Sequence, residues 1–299
     1  MKFSFVKTRY WWFALSSILI IGSIAAICVF GLKLSIDFTG GSLMEMQFVA
    51  PGPTNAQISA TMAKAGFPNT TVQTAVTGDD FISLESLNET QHQTALAALV
   101  AAYPKTTELQ FNSIGPVVGS ELRTSALTGV IITLILIGLY IAWAFRKVAH
   151  PVASWKYGVL IVVTAAHDVI IPLGVFAVIS RYQGWEVGTA FVAAVLTILG
   201  YSISDTVVVF DRTRENLQHR SGESFAEVVD KSIQQTFVRS VNTSMTTMLC
   251  LLAILVFGGA TTAPFALALL IGVLVGTYSS IFVASPLLVE WELRSRKKA

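Results

Sequence analysis

The stretch LGYSISDTVVVFDR, residues 199–212, places a single carboxylate, Asp205, inside a run of apolar residues. The run extends over about Val187–Phe210, which is long enough for a membrane-spanning helix of roughly 20 residues. Asp205 precedes the charged end of this run by about six residues, or ~9 Å along a helix. An ionisable side chain at that depth is costly in hydrocarbon and is by default a candidate for function.

The rest of the chain has the composition of a membrane protein. Its 299 residues are 53% hydrophobic and 13% charged, with a mean hydropathy of +0.65, whereas soluble domains carry about 25% charged residues. We therefore predict an α-helical membrane protein with six spans. The other five predicted spans are, approximately, Trp11–Leu32, Thr124–Phe145, Tyr157–Ile179, Val241–Phe257 and Pro264–Val289.

The Lys and Arg residues predict the orientation, because cytoplasmic loops are enriched in them. With six spans both termini share one side, and we expect that side to be cytoplasmic. We also expect the first span to be an uncleaved anchor, since its apolar run of about 22 residues exceeds the 7–15 residues of a signal-peptide core. Of the 20 Lys and Arg residues, those assigned to the opposite side are Lys33, Lys64, Lys105, Arg123 and Arg181.

The long first external loop is predicted to fold as a small domain. Its order of strand, helix, two strands, helix and strand predicts a ferredoxin-like α+β sandwich. These segments are 42–49, 53–65, 69–76, 79–86, 88–103 and 106–114. The predicted division of the chain is 1–32 for the N-terminus and first span, 33–123 for this domain, 124–290 for the other five spans and 291–299 for a basic cytoplasmic tail.

Two consecutive spans carry polar faces that we expect to meet. Residues three and four apart share one helical face, and spans joined by a cytoplasmic loop run antiparallel, so Arg239 enters from the end at which Asp205 lies. A carboxylate beside a guanidinium stays ionised, whereas burial without that neighbour favours the protonated form. We predict that Asp205 and Arg239 form a proton relay; an arginine that merely extends to the lipid headgroups is the alternative. The supporting polar residues are Tyr201 and Ser202 in the fourth span and Asn242, Thr243 and Thr246 in the fifth.

The third span adds His167 and Asp168, followed by Pro172. Asp168 either supports the relay or only satisfies a neighbouring helix, and His167 is expected to be a packed core residue. In the sixth span, small residues recur every four positions, which favours close packing within the bundle over a dimer interface. These residues are Ala268, Gly272, Gly276, Ser280 and Ala284.

The two cysteines, Cys28 and Cys250, fall inside predicted spans. Their positions predict neither a disulfide framework nor a metal site.

Four motifs together give the chain a resemblance to the SecF proteins of the SecD/SecF protein-export family, within the resistance-nodulation-division (RND) superfamily. They are DFTGG (37–41), HDV (167–169), GYSISDTVVVFDRTREN (200–216) and RSVNTSMTT (239–247). The resemblance implies an RND-type half bundle. The family's membrane acid corresponds to Asp205, its fifth-span arginine to Arg239, and its motif after the first span to Asp37, Gly40 and Gly41.

The resemblance also implies a function. Such proteins pair with SecD in the bacterial inner membrane, with the first loop in the periplasm. They assist the SecYEG channel and use the proton-motive force to draw preproteins outward after SecA-driven insertion. We therefore expect a protein-translocation subunit rather than an enzyme, surrounded by membrane lipid. We expect protons as the coupling ion, no other cofactor, no metal and no nucleic-acid partner.

Two other classes compete with this interpretation. Half of a proton-coupled RND efflux transporter is the nearer alternative, although such pumps usually carry larger outer domains and both halves in one chain. An intramembrane aspartyl protease would use Asp168 and Asp205 as a dyad sharing one proton. Against the protease, the residues before Asp205 read Ser202, Ile203 and Ser204 rather than the G-x-G-D motif of such enzymes.

Overall fold

The computed structural model describes residues 4–74, 78–146, 152–219, 222–259 and 261–298. Within these residues, six helices are long and apolar enough to cross a membrane, which confirms the predicted fold class. They are α1 (Arg9–Phe30), α5 (Pro116–Ala144), α6 (Ser154–Gln183), α7 (Thr189–Gln218), α8 (Phe225–Phe257) and α9 (Ala263–Ser279), the last of which continues through a π-helical turn (Ser280–Ala284) into α10 (Ser285–Lys298).

The spanning helices extend beyond the apolar runs that predicted them. Helix α8 begins at Phe225 rather than at about Val241, because the Ser224 side chain and Glu227 form a capping box at its first turn. Hydropathy detects only the part of a helix that lies in lipid, while caps determine where the helix starts.

Between α1 and α5 lies the predicted α+β domain. Its elements are α2 (Ile36–Thr39), β1 (Gly41–Gln47), α3 (Asn55–Lys64), β2 (Thr71–Thr74), β3 (Asp80–Leu84), α4 (Glu89–Ala102) and β4 (Thr107–Ile114). The strands form one antiparallel sheet in the order β2-β3-β1-β4. This order confirms the ferredoxin-like fold.

The domain core forms between the sheet and the two helices α3 and α4. Met44 and Met46 of β1 are fully buried, as the alternation of that strand predicts. In α4 the buried face consists of His92, Ala95 and Leu99. Val100 follows Leu99 directly and is 42% exposed, because a helix turns about 100° between consecutive residues.

Helices α6, α7 and α9 occupy the centre of the membrane bundle, and α1, α5 and α8 lie around them. The small residues of α9 make this close packing possible. Gly272 leaves no room for a Cβ atom against Ile198 of α7, and a Cβ on Gly276 would lie 2.8 Å from the Cβ of Ser202. The predicted small-residue stripe therefore packs within the bundle, and it brings α9 close to the polar residues of α7.

Candidate functional site

Asp205 lies where α7 meets α8 and α9. The Ser240 hydroxyl of α8 donates to Asp205 Oδ1 at 2.5 Å, and the hydroxyl of Ser280, the first residue of the π-helical turn that continues α9, donates to Oδ2. Both serines are buried, while Asp205 itself is partly exposed. No ion pair among the described residues involves Asp205. Within the described residues, each oxygen of this carboxylate accepts a hydrogen bond from one serine hydroxyl.

The buried face of α8 includes a row of hydroxyl side chains. One member, Ser244, accepts a hydrogen bond from the Tyr201 hydroxyl at 3.2 Å and lies 2.5 Å from the Thr277 hydroxyl of α9. Tyr201 therefore contacts the hydroxyl row to which Ser240, a donor to Asp205, also belongs, and its supporting role in a relay stays a prediction. The row repeats every four residues as Ser232, Thr236, Ser240 and Ser244.

The structure does not bring Arg239 to Asp205 within this chain. Arg239 is exposed, because it precedes Ser240, which faces Asp205, and consecutive helical residues point about 100° apart. The other members of the predicted stripe, Asn242, Thr243 and Thr246, are also exposed. They share a side of α8 as predicted, but that side faces away from this chain's bundle, and the role of Arg239 in a relay stays a prediction.

A second carboxylate, Asp168 of α6, is enclosed completely. It is 0% exposed and has hydrogen bonds with three side chains. The Ser202 hydroxyl of α7 donates to Oδ2, the Ser279 hydroxyl of α9 donates to the same oxygen at 2.7 Å, and His167 Nδ1 lies 2.7 Å from Oδ1. His167 is buried as predicted, and its Nε2 has no hydrogen-bond partner within the described residues.

The two carboxylates follow one pattern. Each receives one serine hydroxyl from the next helix in sequence and one from α9, where Ser279 serves Asp168 and Ser280 serves Asp205. The π-helical turn begins at Ser280, and such turns are frequent at functional sites. Among the described residues no hydrogen bond joins the two carboxylates, and each contacts its own pair of serines.

The motif after the first span lies at the opposite end of α7. Asp37 Oδ2 accepts hydrogen bonds from the backbone N–H and the hydroxyl of Thr189, both at 2.8 Å. Gly40 packs against Pro116 at the start of α5, and Gly41 opens strand β1. These residues therefore join elements and do not line the carboxylate sites.

Of the four serine donors, Ser202 was predicted as a supporting residue, whereas Ser240, Ser279 and Ser280 were missed by sequence reasoning. Ser240 lies one position from the predicted stripe, and Ser280 was counted only as a small packing residue. The available signal was the four-residue repeat of hydroxyl side chains on α8, which predicts a hydroxyl-lined face that can meet a buried acid on α7.

These features define a polytopic membrane protein that holds two carboxylates within its bundle, one of them fully buried, and carries one ferredoxin-like domain. The family model described as the C-terminal part of the protein export membrane proteins SecD/SecF matches residues 93–294, and the SecD/SecF GG motif matches residues 25–51. The chain belongs to the SecD/SecF protein-export membrane protein family.

Individual relatives agree with this assignment. The protein translocase subunit SecF of Thermobaculum terrenum is 42% identical, with 96% of this chain and 93% of the relative covered. The subunit of the same name from Anaerolinea thermophila is 38% identical over 95% of this chain and 92% of the relative. The protein translocase subunit SecDF of Thermus thermophilus is 39% identical over 94% of this chain but 37% of the relative.

Solved structures show the same relationship. The crystal structure of Thermus thermophilus SecDF, described as a translocon-associated membrane protein, matches with a TM-score of 0.85 and 36% identity. That match covers 98% of this chain and 39% of the SecDF chain. A super-membrane-facing form of SecDF matches with a TM-score of 0.70 and 35% identity, over 100% of this chain and 40% of that chain. This chain therefore spans about two fifths of the SecDF structures it matches.

Proposed function

We propose that this chain is a SecF-type subunit of a bacterial protein translocase. It pairs with a SecD-type half, and the pair uses the proton-motive force to draw preproteins outward through the SecYEG channel after SecA has begun their insertion. Relatives named SecF that match over nearly their whole length support the subunit assignment. The Thermus thermophilus relative, in which the region like this chain is part of a longer SecDF protein, supports the pairing.

The observation that carries proton coupling is the setting of Asp205. Its carboxylate lies inside a membrane bundle and contacts the hydroxyls of Ser240 and Ser280. A hydroxyl group both donates and accepts hydrogen bonds, so the same two serines can satisfy an ionised or a protonated Asp205. A permanent cation would bind only the ionised form tightly. The site therefore suits an acid that gains and loses a proton during a cycle.

The membrane potential supplies enough energy to bias such a site. One charge moved across the membrane gains about 2.3 kcal/mol per 100 mV. Asp205 and Ser280 join α7 to α9, and Ser202 and Ser279 join the same helices to Asp168 of α6. A change in the charge of Asp205 thus acts on the contact between the central helices, and we assign Asp168 a supporting role there.

Arg239 and the exposed polar residues on the same side of α8 are suited to contact the partner half. A charged and polar stripe on the exposed side of α8 is unfavourable against lipid, and membrane transporters are commonly built from two related halves that meet around the functional site. We infer that the SecD-type half covers this stripe, and that Arg239 acts on the relay from that interface. The termini are then cytoplasmic and the α+β domain periplasmic, in the inner membrane.

Purification and reconstitution test this proposal. The tagged chain is isolated from bacterial membranes in detergent and the proteins bound to it are identified by mass spectrometry; a SecD-type protein and channel subunits are expected. Vesicles containing the complex should export a preprotein faster when a proton gradient is imposed, and vesicles lacking this chain should not respond. Isolation of the chain without any such partner, together with extrusion of small molecules by the chain alone, would instead identify an efflux protein.

A further inference from the structure

Helix α7 begins without a capping side chain of its own. Its N-cap residue is Gly188, although Ser, Thr, Asp and Asn are the usual residues at this position because their oxygens bind the free N–H groups. The cap comes from a distant part of the chain instead: Asp37 Oδ2 lies 2.8 Å from both the backbone nitrogen and the hydroxyl of Thr189. A negative charge at a helix N-terminus is also favoured by the helix dipole.

The geometry requires glycine at the usual capping position. A Cβ atom on Gly188 would lie 2.7 Å from Asp37 Oδ2 and 2.8 Å from the Ser35 hydroxyl. A local cap and the Asp37 cap therefore compete for the same space. Position 188, where a local capping side chain would lie, is accordingly glycine, and the capping carboxylate belongs to Asp37.

The segment around Asp37 forms further bonds with the residues that lead into α7. Val187 N–H donates to the Lys33 carbonyl at 2.7 Å, and Ser35 N–H donates to the Val187 carbonyl at 3.0 Å. Lys33 also forms an ion pair with Glu186 at 3.0 Å. The connection between α1 and β1 thus runs beside the start of α7 and is bonded to it.

The same segment leads directly into the α+β domain. Strand β1 begins at Gly41 and lies in the middle of the sheet, between β3 and β4. Gly40 has φ 73°, and a Cβ on it would lie 2.6 Å from the Cα of Pro116, where the chain leaves the domain into α5. A Cβ on Gly119 of α5 would lie 2.7 Å from the Gly40 nitrogen. Both connections between the domain and the bundle therefore meet at these glycines.

Helix α7 links this junction to the carboxylate sites. Thr189 and Asp205 belong to one uninterrupted helix and lie ~24 Å apart along it, at a rise of about 1.5 Å per residue. Ser202 and Asp205 are the residues through which α7 contacts the two carboxylate sites. A displacement of α7 that starts at these sites must reach Thr189, and Asp37 is the side chain that binds Thr189.

We propose that Asp37 is a positioning residue that transmits displacement of α7 to the α+β domain through its two hydrogen bonds to Thr189. The inference rests on the proposed proton-driven function and adds the place at which motion of the bundle is passed to the domain. Asp37 takes no part in proton transfer.

The test separates coupling from proton movement in vesicles that contain the chain assembled with its partner. Asp37→Ala should lower gradient-stimulated preprotein export at least tenfold, while proton movement through the complex stays within twofold of wild type. Thr39→Ala is the matched control, because Thr39 is exposed and its hydroxyl bonds, among the residues that the structure describes, only to the Ser35 and Gly40 carbonyls. That control should leave both measurements unchanged.

A double variant distinguishes transmission from simple helix capping. Gly188 has extended backbone angles, φ −116° and ψ −168°, which suit a serine cap. Asp37→Ala removes one of the two atoms that exclude a Cβ at position 188, and the other, the Ser35 hydroxyl, can rotate away. In Asp37→Ala/Gly188→Ser, α7 therefore regains a local cap but not its connection to residue 37, so thermal stability should recover while export stays low. Recovery of export in the double variant would show that Asp37 only stabilises α7 and would overturn the proposal.

Two further variants, Thr189→Val and Asp205→Asn, separate the role of Asp37 from folding and from proton transfer. If Asp37→Ala does not assemble, Thr189→Val removes only the hydroxyl bond and should lower export about threefold with unchanged proton movement. Loss of proton movement in either variant would place Asp37 in the relay and contradict the proposal. Asp205→Asn serves as the comparator: unchanged proton movement there would refute the proposed function itself, whatever Asp37→Ala shows.

Discussion

Replacement of Asp205 by asparagine removes the titratable group and leaves the shape of the site nearly unchanged. The asparagine oxygen can still accept from Ser240, and its amide can donate to the Ser280 hydroxyl, which rotates to accept it. We therefore expect a loss of stability of only about 1 kcal/mol, the typical net value of one hydrogen bond. Assembly with the partner should persist, as a pull-down from detergent would show.

The functional effect should be much larger. One charge in a potential of 100 mV gains about 2.3 kcal/mol, and each 1.36 kcal/mol corresponds to a factor of ten, so one proton per cycle biases the bundle between two packings by roughly 50-fold. The neutral amide of the Asp205→Asn variant cannot carry that charge. The ratio of export rates with and without an imposed proton gradient should fall to about one.

The measurement is preprotein export into vesicles that contain the assembled complex, with the gradient imposed or collapsed by an ionophore. The ratio of the two rates removes differences in protein amount between wild type and Asp205→Asn. A ratio equal to that of wild type would show that Asp205 carries no coupling proton. The role proposed for its serine-lined site would then be wrong.

Three other changes address the partner surface, the bundle packing and the α+β domain. Arg239→Met should cripple gradient-driven export without unfolding the chain, because Arg239 is exposed; Arg239→Lys should retain part of the activity only if charge, rather than the planar guanidinium, is what the partner recognises. Gly272→Val should destabilise the bundle by roughly 1–3 kcal/mol through overpacking against Ile198, as thermal unfolding in detergent would show. The control Gly22→Val should not, because Gly22 has open space around it. Equal effects of the two substitutions would contradict the packing described. Burial and the nearby charge of Asp79 raise the pKa of Asp80 above its usual value of 3.8. The folded domain therefore holds the Asp80 proton more tightly than the unfolded chain does, and the stability of the domain falls as the pH rises from 3.8 to the raised pKa. Asp80→Asn should therefore slow hydrogen exchange in β2 and β3 at pH 7 and have no effect well below pH 3.8; faster exchange at pH 7 would show that the ionised carboxylate is needed.

The secondary structure of the α+β domain was predictable from local signals. Alternating Met44 and Met46 mark a strand with one buried face, and Asn88 starts a helix because its side chain caps the first turn. Such signals act within a few residues, so they do not depend on the rest of the fold. The sheet order followed because the βαββαβ pattern has a preferred arrangement.

The choice between neighbouring faces of a helix was not predictable in the same way. Arg239 and Ser240 are adjacent in sequence, and each belongs to a polar row along α8. Only the position of α8 against α7 and α9 decides which row meets Asp205, and the structure places Ser240 there. A polar row can face a polar interior or a partner protein, and a single sequence does not distinguish the two.

The number of spans, the small α+β domain and the acid inside the membrane could be predicted from short segments, because hydropathy, helix caps and the cost of a charge in lipid are local properties. The groups that surround this acid, and the contacts of the motif after the first span, became known only from the folded arrangement of the helices. Ser280, Asp168 and Asp37 reach their partners from helices or loops far away in the chain. Such contacts depend on how whole helices pack, and the glycines of α9 permit the close approach that brings these groups together.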